Sequence, residues 1–451
     1  MRLASLILLA TSSVVSPRSA AVHATLVSSE PAANSRLASS PTRVRLVFSE
    51  PIEGKLGRIS LHPTSGATIT LRAGADPRDV HAVVAPVQAL APGRYRVDWR
   101  VVSADGHPVD GTFVFAIGDT TLGTPAAPPA PSAPAPSAPA PEQETEPDTW
   151  GPAVAGAPLF PALLRGAALG ALMAAAGLFL FHVGAAPNAA QRSDARVRRL
   201  TTVFAILGPV LLGAHMIAWL INTAPDHQLD ASWAGAALET IVGKIEMWRT
   251  GLAILALWAW WLARRPALAL GFAAAALALS GASGHSAAIQ PQWGVPAKAI
   301  HLLASAVWLG GLLWLVVRPE ADDAAVFARD ADRVSSRALI AVIAVAFTGV
   351  VQTRLFLPSW GDVVSSAYGL LALAKAAGLL VLVAFGAYHR QRLMPRVTAA
   401  ARTVADIAAL RGSVAREMVI MALVILLGGL LAYVPPPGES EGPMSTNHAT
   451  S

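Results

Sequence analysis

The sequence predicts two modules, an N-terminal all-β sandwich or barrel and a C-terminal all-α membrane bundle of about eight transmembrane helices. Of its 451 residues, 54% are hydrophobic and only 14% are charged, whereas ordinary soluble domains carry about 25% charged residues. Short alternating apolar runs fill residues 23–118, and long apolar runs fill residues 159–434. A Pro/Ala-rich segment separates these two regions.

The composition excludes several classes of protein. The chain has no cysteine, which excludes disulfide scaffolds, thiolate zinc sites, iron–sulfur clusters and cysteine nucleophiles. It also lacks a GxxxxGK[ST] phosphate-binding loop, and the histidines near the outer side of the membrane spans have no Ser/Asp grouping of triad type. We therefore expect a protein that is not an enzyme. The net charge of +6 comes with arginines in predicted membrane loops, so we expect no nucleic-acid partner.

Residues 1–22 are predicted to be a signal peptide. Arg2 supplies the positive start, Leu3 to Ala10 form an apolar core, and small residues follow. The alternative, a first membrane anchor, needs a longer apolar run. Cleavage after Val22 makes His23 the first residue. Cleavage after Ala21 makes it the second, and cleavage after Ala24 removes it.

Residues 23–118 are predicted to fold as a small β domain. Gly and Pro separate the runs, which is typical of a sandwich or barrel. The predicted strands are Val44–Phe48, Arg58–His62, Thr68–Arg72, His81–Ala85, Tyr95–Val102 and Thr112–Ile117. A linker follows at residues 119–158, with eight prolines between Pro125 and Pro141. Such an extended linker can hold the β domain away from the next module or let it fold back.

Residues 159–434 contain eight candidate membrane spans, each near the roughly 20 residues that a crossing helix needs. They are 159–184, 200–222, 246–263, 266–284, 296–317, 337–357, 366–388 and 415–434. Sixteen arginines lie in the loops on one side: Arg192, Arg196, Arg198, Arg199, Arg264, Arg265, Arg318, Arg329, Arg333, Arg337, Arg390, Arg392, Arg396, Arg402, Arg411 and Arg416. The positive-inside rule makes that side cytoplasmic and places the β domain and the tail 435–451 outside.

A candidate metal site lies in the β domain. Asp105 and His107 flank Gly106 in a tight loop after a strong strand, and His23 lies next to the predicted cleavage site. Nitrogen ligands with one carboxylate oxygen in a flat arrangement suit Cu(II). The alternative is an ordinary β-turn with a solvated histidine.

This domain resembles the CopC copper-binding domain in the segments His23–Ala32, Val44–Pro51 and Trp99–Pro108, and at Gly111 and Phe113. The resemblance covers nearly all of residues 23–118. It implies a cupredoxin-like β-barrel with a Cu(II) site formed by His23, Asp105 and His107. Residues 23–118 contain no Met, so we predict no Cu(I) thioether site there.

Polar side chains within the predicted spans indicate a second site, because buried polar groups in a membrane are costly. The candidate copper ligands near the outer side are His215, Met216, Met247, His285 and His301. Spans four and five are antiparallel neighbours, so His285 and His301 could converge. Three further residues could support the site: Glu246, Trp308, which shares a helix face with His301, and Lys375. The alternative is that each histidine hydrogen-bonds a backbone carbonyl and that Lys375 has a structural partner.

The membrane half resembles CopD, the copper-resistance membrane protein, in Ala299–Leu312, Phe347–Val350, Tyr368–Lys375 and His389–Pro395. That resemblance implies movement of copper across a bacterial inner membrane, usually inward. A fusion of CopC and CopD would capture Cu(II) outside and pass copper, as Cu(I) or Cu(II), to the helices for import. Its partners would be copper ions, the lipid bilayer and an external reductant or copper donor.

Two alternatives use the same residues. One is a membrane redox protein that binds haem, with His285 and His301 as the axial pair. The other is a membrane-tethered copper-binding resistance protein without transport.

Overall fold

The computed structural model describes residues 25–104, 106, 108–118, 159–184, 195–224, 228–317, 324–357, 359–399, 403–434 and 436–437. The predicted signal peptide and linker therefore lie outside the described residues, as does nearly all of the tail. His23, Asp105 and His107 lie outside them too.

The N-terminal part is a sandwich of two sheets, which confirms the predicted fold class. One sheet has the strand order β1-β3-β7-β6, and the other has the order β2-β9-β8-β4-β5. The strands are β1 (Leu26–Glu30), β2 (Arg36–Leu37), β3 (Arg43–Phe48), β4 (Arg58–Pro63), β5 (Ile69–Arg72), β6 (Gly74–Asp76), β7 (Asp79–Pro86), β8 (Gly93–Val102) and β9 (Pro108–Ile117).

Alternation of apolar side chains builds the core of this sandwich. In β3, Val44, Leu46 and Phe48 are buried while the residues between them are not, as period-2 side-chain placement requires. Phe48 meets Trp99 of the opposite sheet edge-on, with ring centroids 5.2 Å apart. β8 and β9 pair antiparallel from Gly93–Ile117 to Val102–Pro108. The loop between them is therefore the predicted metal-binding loop.

The C-terminal part is helical. Its helices are α1 (Leu159–Gly184), α2 (Ala195–Thr223), α3 (Ala231–Leu238), α4 (Ile241–Trp261), α5 (Pro266–Leu279), α6 (His285–Ala288), α7 (Pro291–Val317), α8 (Ala324–Phe356), α9 (Asp362–Ser365), α10 (Ala367–Tyr388), α11 (Met394–Thr398) and α12 (Val404–Leu431). A π-helical turn, His389–Leu393, joins α10 to α11.

The predicted number of eight crossing helices is not confirmed. Among the described residues, six helices are long and apolar enough to cross a membrane: α1, α2, α7, α8, the continuous α10–α11 segment and α12. Helix α4 lies at the third predicted span but carries Lys244, Glu246 and Arg249. Helix α5 lies at the fourth and has 14 residues, a rise of about 21 Å. The two pack against each other beside α1 and α2.

Helix α1 lies at the centre of the bundle, where small residues allow close packing. A Cβ atom on Gly310 of α7 would overlap the backbone of Gly177 in α1. The two helices therefore approach closely at Gly310, since a larger side chain cannot fit there. Gly429 of α12 packs in the same way against Ala162 and Gly166.

The two ends of the bundle differ. One end, the β-domain end, carries the sandwich on the last turn of α2, on α3 and on the first turn of α4. The opposite end holds two of the arginines that the sequence predicts to be cytoplasmic, Arg337 over the ring of Phe181 and Arg411 over the ring of Phe327.

Candidate metal site at the domain interface

The sandwich docks on the bundle through an apolar cluster. Leu56 and Val102 of the β domain are each 1% exposed in this cluster. Their partners from the bundle are Trp219, Leu220, Ala224, Trp233, Ala237 and Val242. Burial of these apolar side chains favours association of the β domain with the bundle. The β domain therefore folds back onto the bundle, as one of the two arrangements open to the linker.

Polar contacts fix the orientation of the docked domain. The Trp219 indole Nε1 donates to the Gly106 carbonyl oxygen at 3.0 Å. Arg100 Nη2 donates to the Asn222 carbonyl oxygen at 3.3 Å. Lys55 and Glu239 form an ion pair at the exposed rim. Two of these contacts hold Gly106 and the end of β8 against the end of α2.

Glu53 docks on the first turn of α4. The Ile241 backbone N–H donates to Glu53 Oε1 at 2.9 Å, satisfying one of the free donors at a helix start. Burial at the interface raises the pKa of Glu53, although this hydrogen bond opposes the shift.

Gly106 has a conformation and a position that favour glycine. Its φ is +93°, a region that side chains rarely adopt. A Cβ atom there would lie 3.0 Å from Val242 Cγ1 and 3.4 Å from Trp219 Nε1. The loop can approach α2 and α4 this closely because its central residue has no side chain.

A small cavity lies directly beneath this loop. Its free volume is about 20 Å³, which is enough for a single water molecule or a small ion. The lining residues are Gly106, Pro161, Arg165, His215, Trp219, Asn222, Val242, Glu246, Ser283 and Tyr433. The cavity is therefore bounded by the β domain on one side and by polar side chains of the bundle on the other.

His215 supplies the imidazole that could bind a metal in this cavity, and the residue is 1% exposed. Its Nε2 lies 3.1 Å from the Tyr433 hydroxyl, and its Nδ1 lies 3.4 Å from Glu246 Oε2. Arg249 Nη2 donates to Nδ1 at 3.0 Å. Because arginine only donates, Nδ1 accepts and the neutral ring carries its proton on Nε2. The lone pair that could bind a metal is thus held by Arg249.

Buried cations surround His215. Arg249 forms an ion pair with Glu246 three residues earlier on α4, and both are almost fully buried. Arg165 Nη2 donates to Ser283 Oγ at 3.3 Å, and Lys298 Nζ donates to the Ser283 carbonyl oxygen at 2.6 Å. Of the residues in this group, only His215 and Glu246 stood among the predicted site residues. Arg165, Lys298 and Tyr433 were missed, although a buried charge in a span is itself a signal.

The predicted methionine ligands lie away from this site. Met216 packs against the apolar interface cluster. Met247 is 44% exposed, because the residue after Glu246 lies on a different face of α4. In the described structure, neither faces the cavity beside His215.

His285 and His301 have different neighbours. The His285 ring packs between Phe356 and Tyr368, with centroid distances of 6.4 and 6.2 Å. His301 Nδ1 lies 3.0 Å from Thr348 Oγ1 of α8. Both histidines thus have a partner on α8, Phe356 for His285 and Thr348 for His301, and their joint copper site stays a prediction.

A third polar group lies nearer the opposite end. Trp308 Nε1 donates to Glu417 Oε1 at 3.2 Å, and Glu417 Oε2 lies 3.4 Å from His389 Nδ1. His389 Nε2 in turn lies 2.8 Å from Ser413 Oγ. Lys375 lies between the two ends, beside Gly428 of α12. Trp308 therefore supports a buried acid that the sequence analysis did not single out.

Three family profiles match the chain. The CopC domain matches residues 26–118, the N-terminal domain of copper resistance protein D-like proteins matches 157–295, and copper resistance protein D matches 328–431. Copper resistance protein C of Escherichia coli is 36% identical over 109 residues, covering 22% of this chain and 84% of that protein. This chain belongs to the copper resistance families CopC and CopD, as a fusion of the two.

The CopC–CopD fusion has a similar full-length relative. Copper transport protein CutJ of Bacillus subtilis is 26% identical over 404 residues, covering 83% of this chain and 68% of CutJ. The crystal structure of CopC from Methylosinus trichosporium OB3b is 30% identical, with a TM-score of 0.21, and covers 22% of this chain and 99% of that one. The names of these families and relatives indicate copper resistance and copper transport.

Two of the predicted Cu(II) ligands of the CopC–CopD fusion are sequence neighbours of a described residue. Asp105 and His107 flank Gly106, but they and His23 lie outside the described residues. Within the part of the chain that the structure describes, no group of three or more His, Asp or Glu side chains could hold a metal ion. At the cavity, His215 and Glu246 supply two candidate metal donors.

Proposed function

We propose that this CopC–CopD fusion captures Cu(II) outside the plasma membrane and passes copper through its helical bundle into the cytoplasm. His23, Asp105 and His107 are the capture ligands in this proposal. His215 and Glu246 are the first acceptors in the bundle. The protein acts as a copper importer and not as an enzyme.

One observation carries the proposal. The Trp219–Gly106 hydrogen bond holds the capture loop against α2, and Trp219 follows His215 by one helical turn. Gly106 and His215 line the same cavity. Copper released from the loop would therefore meet a histidine and a carboxylate without crossing bulk solvent.

Arg249 controls the acceptor in this account. It donates to His215 Nδ1 and pairs with Glu246, so both acceptor groups are occupied when no copper is present. Imidazole and carboxylate are suitable copper ligands. Copper must displace Arg249 from His215 and from Glu246 when it binds. Binding therefore exchanges one buried cation, the Arg249 guanidinium, for another, the copper ion.

A line of polar side chains on α7 supports an onward route. Lys298, His301, Ser305 and Trp308 recur at helical spacing on one face, which spans about 15 Å. His301 contacts Thr348, and Trp308 contacts Glu417 beside His389. These groups connect the cavity with the arginine-rich end, which the positive-inside rule makes cytoplasmic.

Uptake of labelled copper into proteoliposomes tests this function. We expect inward flux in the wild type and loss of most of it in His215→Gln and in His301→Gln. His62→Gln is the matched control, because His62 bonds Asp98 and Thr68 on the sandwich surface, away from the interface. Equal flux in all four proteins would contradict the proposal.

The visible spectrum of the same preparation separates the main alternative. A haem Soret band without copper flux would assign the protein to membrane redox chemistry. Copper binding without flux or haem would leave a tethered copper-binding protein. Either result would overturn the import proposal.

A further inference from the structure

A buried acid, Glu417 of α12, lies towards the arginine-rich end of the bundle. Glu417 is 1% exposed, and His389 beside it is 8% exposed. Glu417 Oε1 accepts a hydrogen bond from Trp308 Nε1 at 3.2 Å. Glu417 Oε2 has no hydrogen-bond partner in the described structure. An ionised carboxylate that is buried in this way is strongly unfavourable, so the site requires a compensating positive charge.

The cations on the neighbouring helices do not supply that charge. Arg416, adjacent to Glu417 in sequence, is the cation whose charge acts on His389. The other charged side chains nearby are held elsewhere: Arg390, Arg392 and Arg396 are exposed, Arg411 stacks on Phe327, Asp330 accepts from Trp314, Arg165 and Lys298 bond Ser283, and Lys375 lies beside Gly428. Gly428 is about 16 Å from Glu417 along α12. Among the described residues, no arginine or lysine forms an ion pair with Glu417.

The hydrogen-bond geometry assigns a proton to one atom of this acid. The Trp308 indole N–H can only donate, so Oε1 accepts and a carboxyl proton belongs on Oε2. Oε2 faces His389 Nδ1 at 3.4 Å. A carboxylate with an imidazolium would form a charge-assisted hydrogen bond of about 2.7–2.9 Å. The longer distance therefore favours a neutral carboxyl group beside a neutral imidazole.

His389 can exchange this proton with solvent. It is the more exposed member of the pair, and it begins the π-helical turn His389–Leu393, a backbone form that is frequent at functional sites. Its Nε2 lies 2.8 Å from Ser413 Oγ, and a hydroxyl can donate to this nitrogen or accept from it. The ring can thus take a proton from Oε2 on Nδ1 and release one from Nε2 while its other contact is kept.

We propose that Glu417 and His389 form a proton-binding site that exchanges with the cytoplasmic side and regulates copper flow. A proton needs no cavity, and Trp308, which holds Glu417, ends the polar line on α7. Loss of the proton adds one negative charge beside that line and favours entry of a cation. The regulatory part rests on the proposed function, whereas the proton site itself does not.

Copper uptake into proteoliposomes at fixed external pH and varied lumen pH tests the regulation. We expect wild-type uptake to fall severalfold as the lumen is acidified and the proton is bound, and uptake by Glu417→Gln to be independent of lumen pH. Asp332→Asn is the matched control, because Asp332 is an exposed acid towards the same end. Wild-type uptake that is independent of lumen pH would overturn the proposal even if a variant misfolds, and so would a retained pH response in Glu417→Gln.

Infrared spectroscopy of the full-length, copper-free protein tests the proton site alone. We expect the carbonyl stretch of a protonated carboxyl group at neutral pH, which Glu417→Gln removes and Asp332→Asn retains. His389→Gln should shift its frequency, because Oε2 then lacks its imidazole neighbour. Absence of the band in the wild type, or its persistence in Glu417→Gln, would overturn the proposal. The band without any copper uptake would keep the proton site and contradict only the import proposal.

Discussion

The Trp219 indole nitrogen donates a 3.0 Å hydrogen bond to the carbonyl oxygen of Gly106. This bond joins the loop between β8 and β9 to the helix that carries His215. The same glycine has a φ of +93°, and a Cβ atom there would lie only 3.0 Å from Val242 Cγ1. Loop conformation and domain docking are therefore coupled at one residue, next to the predicted capture ligands.

Trp219→Phe should weaken the transfer of copper without weakening its capture. Loss of one hydrogen bond of this kind costs about 0.5–1.5 kcal/mol. The docked arrangement is destabilised by that amount relative to the undocked one. We expect lower uptake at limiting copper and unchanged Cu(II) affinity of the β domain. Trp248→Phe is the control, since Trp248 is 66% exposed on α4. A reduced Cu(II) affinity in Trp219→Phe would contradict this separation of copper transfer from copper capture.

Leu56→Ala should undock the β domain while leaving it folded. Leu56 is 1% exposed, but it belongs to the interface cluster and not to the sandwich core. Burial of a leucine against a partner surface is worth about 1.5–3 kcal/mol. The truncation should therefore shift the docking equilibrium and not the unfolding of the sandwich.

Cross-linking measures this shift. The chain has no cysteine of its own, so Lys55→Cys with Glu239→Cys introduces a specific pair for a short bis-maleimide. The side chains of Lys55 and Glu239 are 61% and 64% exposed, and such an exposed pair contributes little to stability, so its removal is tolerable. The yield should fall with Leu56→Ala and stay unchanged with Ile69→Ala. An unchanged yield in Leu56→Ala would be inconsistent with the interface described.

Gly310→Ala should destabilise the bundle. The added methyl group would overlap the backbone of Gly177, so α1 and α7 must separate at a cost of about 1–3 kcal/mol or more. Gly271→Ala is the matched control, because a Cβ atom there meets nothing within 4 Å. Thermal unfolding in detergent should show a lower midpoint for Gly310→Ala and an equal or higher one for Gly271→Ala.

Acid should destabilise the sandwich through Arg45. Its Nε lies 2.9 Å from Asp76 Oδ2, and its Nη2 lies 2.8 Å from Asp79 Oδ2. Arg45 lowers the pKa of Asp76, while the His81 backbone N–H and Arg45 lower the pKa of Asp79. Their contribution is fully present above the unfolded aspartate pKa of about 3.9. It is lost as the pH falls through the lower folded values.

Urea unfolding of residues 23–118 between neutral pH and about pH 3 measures this dependence. Arg45→Met should flatten the acid loss of stability. Arg43→Met should not, because the Arg43–Glu30 pair is more than half exposed on both sides. A wild-type pH profile in Arg45→Met would contradict the assignment.

The sequence predicted the fold where local patterns decide it. Apolar alternation located β3, β4, β5, β7, β8 and β9, since each buries one face. β2 has two residues, β6 has three, and β1 alternates only weakly, so these three gave no usable pattern. The count of eight spans is not confirmed at α4 and α5, because the apolar stretches there are interrupted by charge or end early.

The site was harder to predict because its members are distant in sequence. His215 and Tyr433 are 218 residues apart, and no spacing rule links them. Arg165 and Lys298 are single basic residues in apolar helices, and only packing shows that both reach Ser283. The aromatic neighbours of His285 and the Thr348 partner of His301 likewise come from helices distant in sequence, so only packing shows them.

The central claim is that the β domain hands copper to His215. Labelled copper uptake at limiting copper in His107→Gln, His215→Gln and the double variant tests it most directly. If capture and acceptance are consecutive steps on one route, the double variant should be no slower than the slower single variant. Multiplication of the two single losses in the double variant would show independent routes and contradict the account.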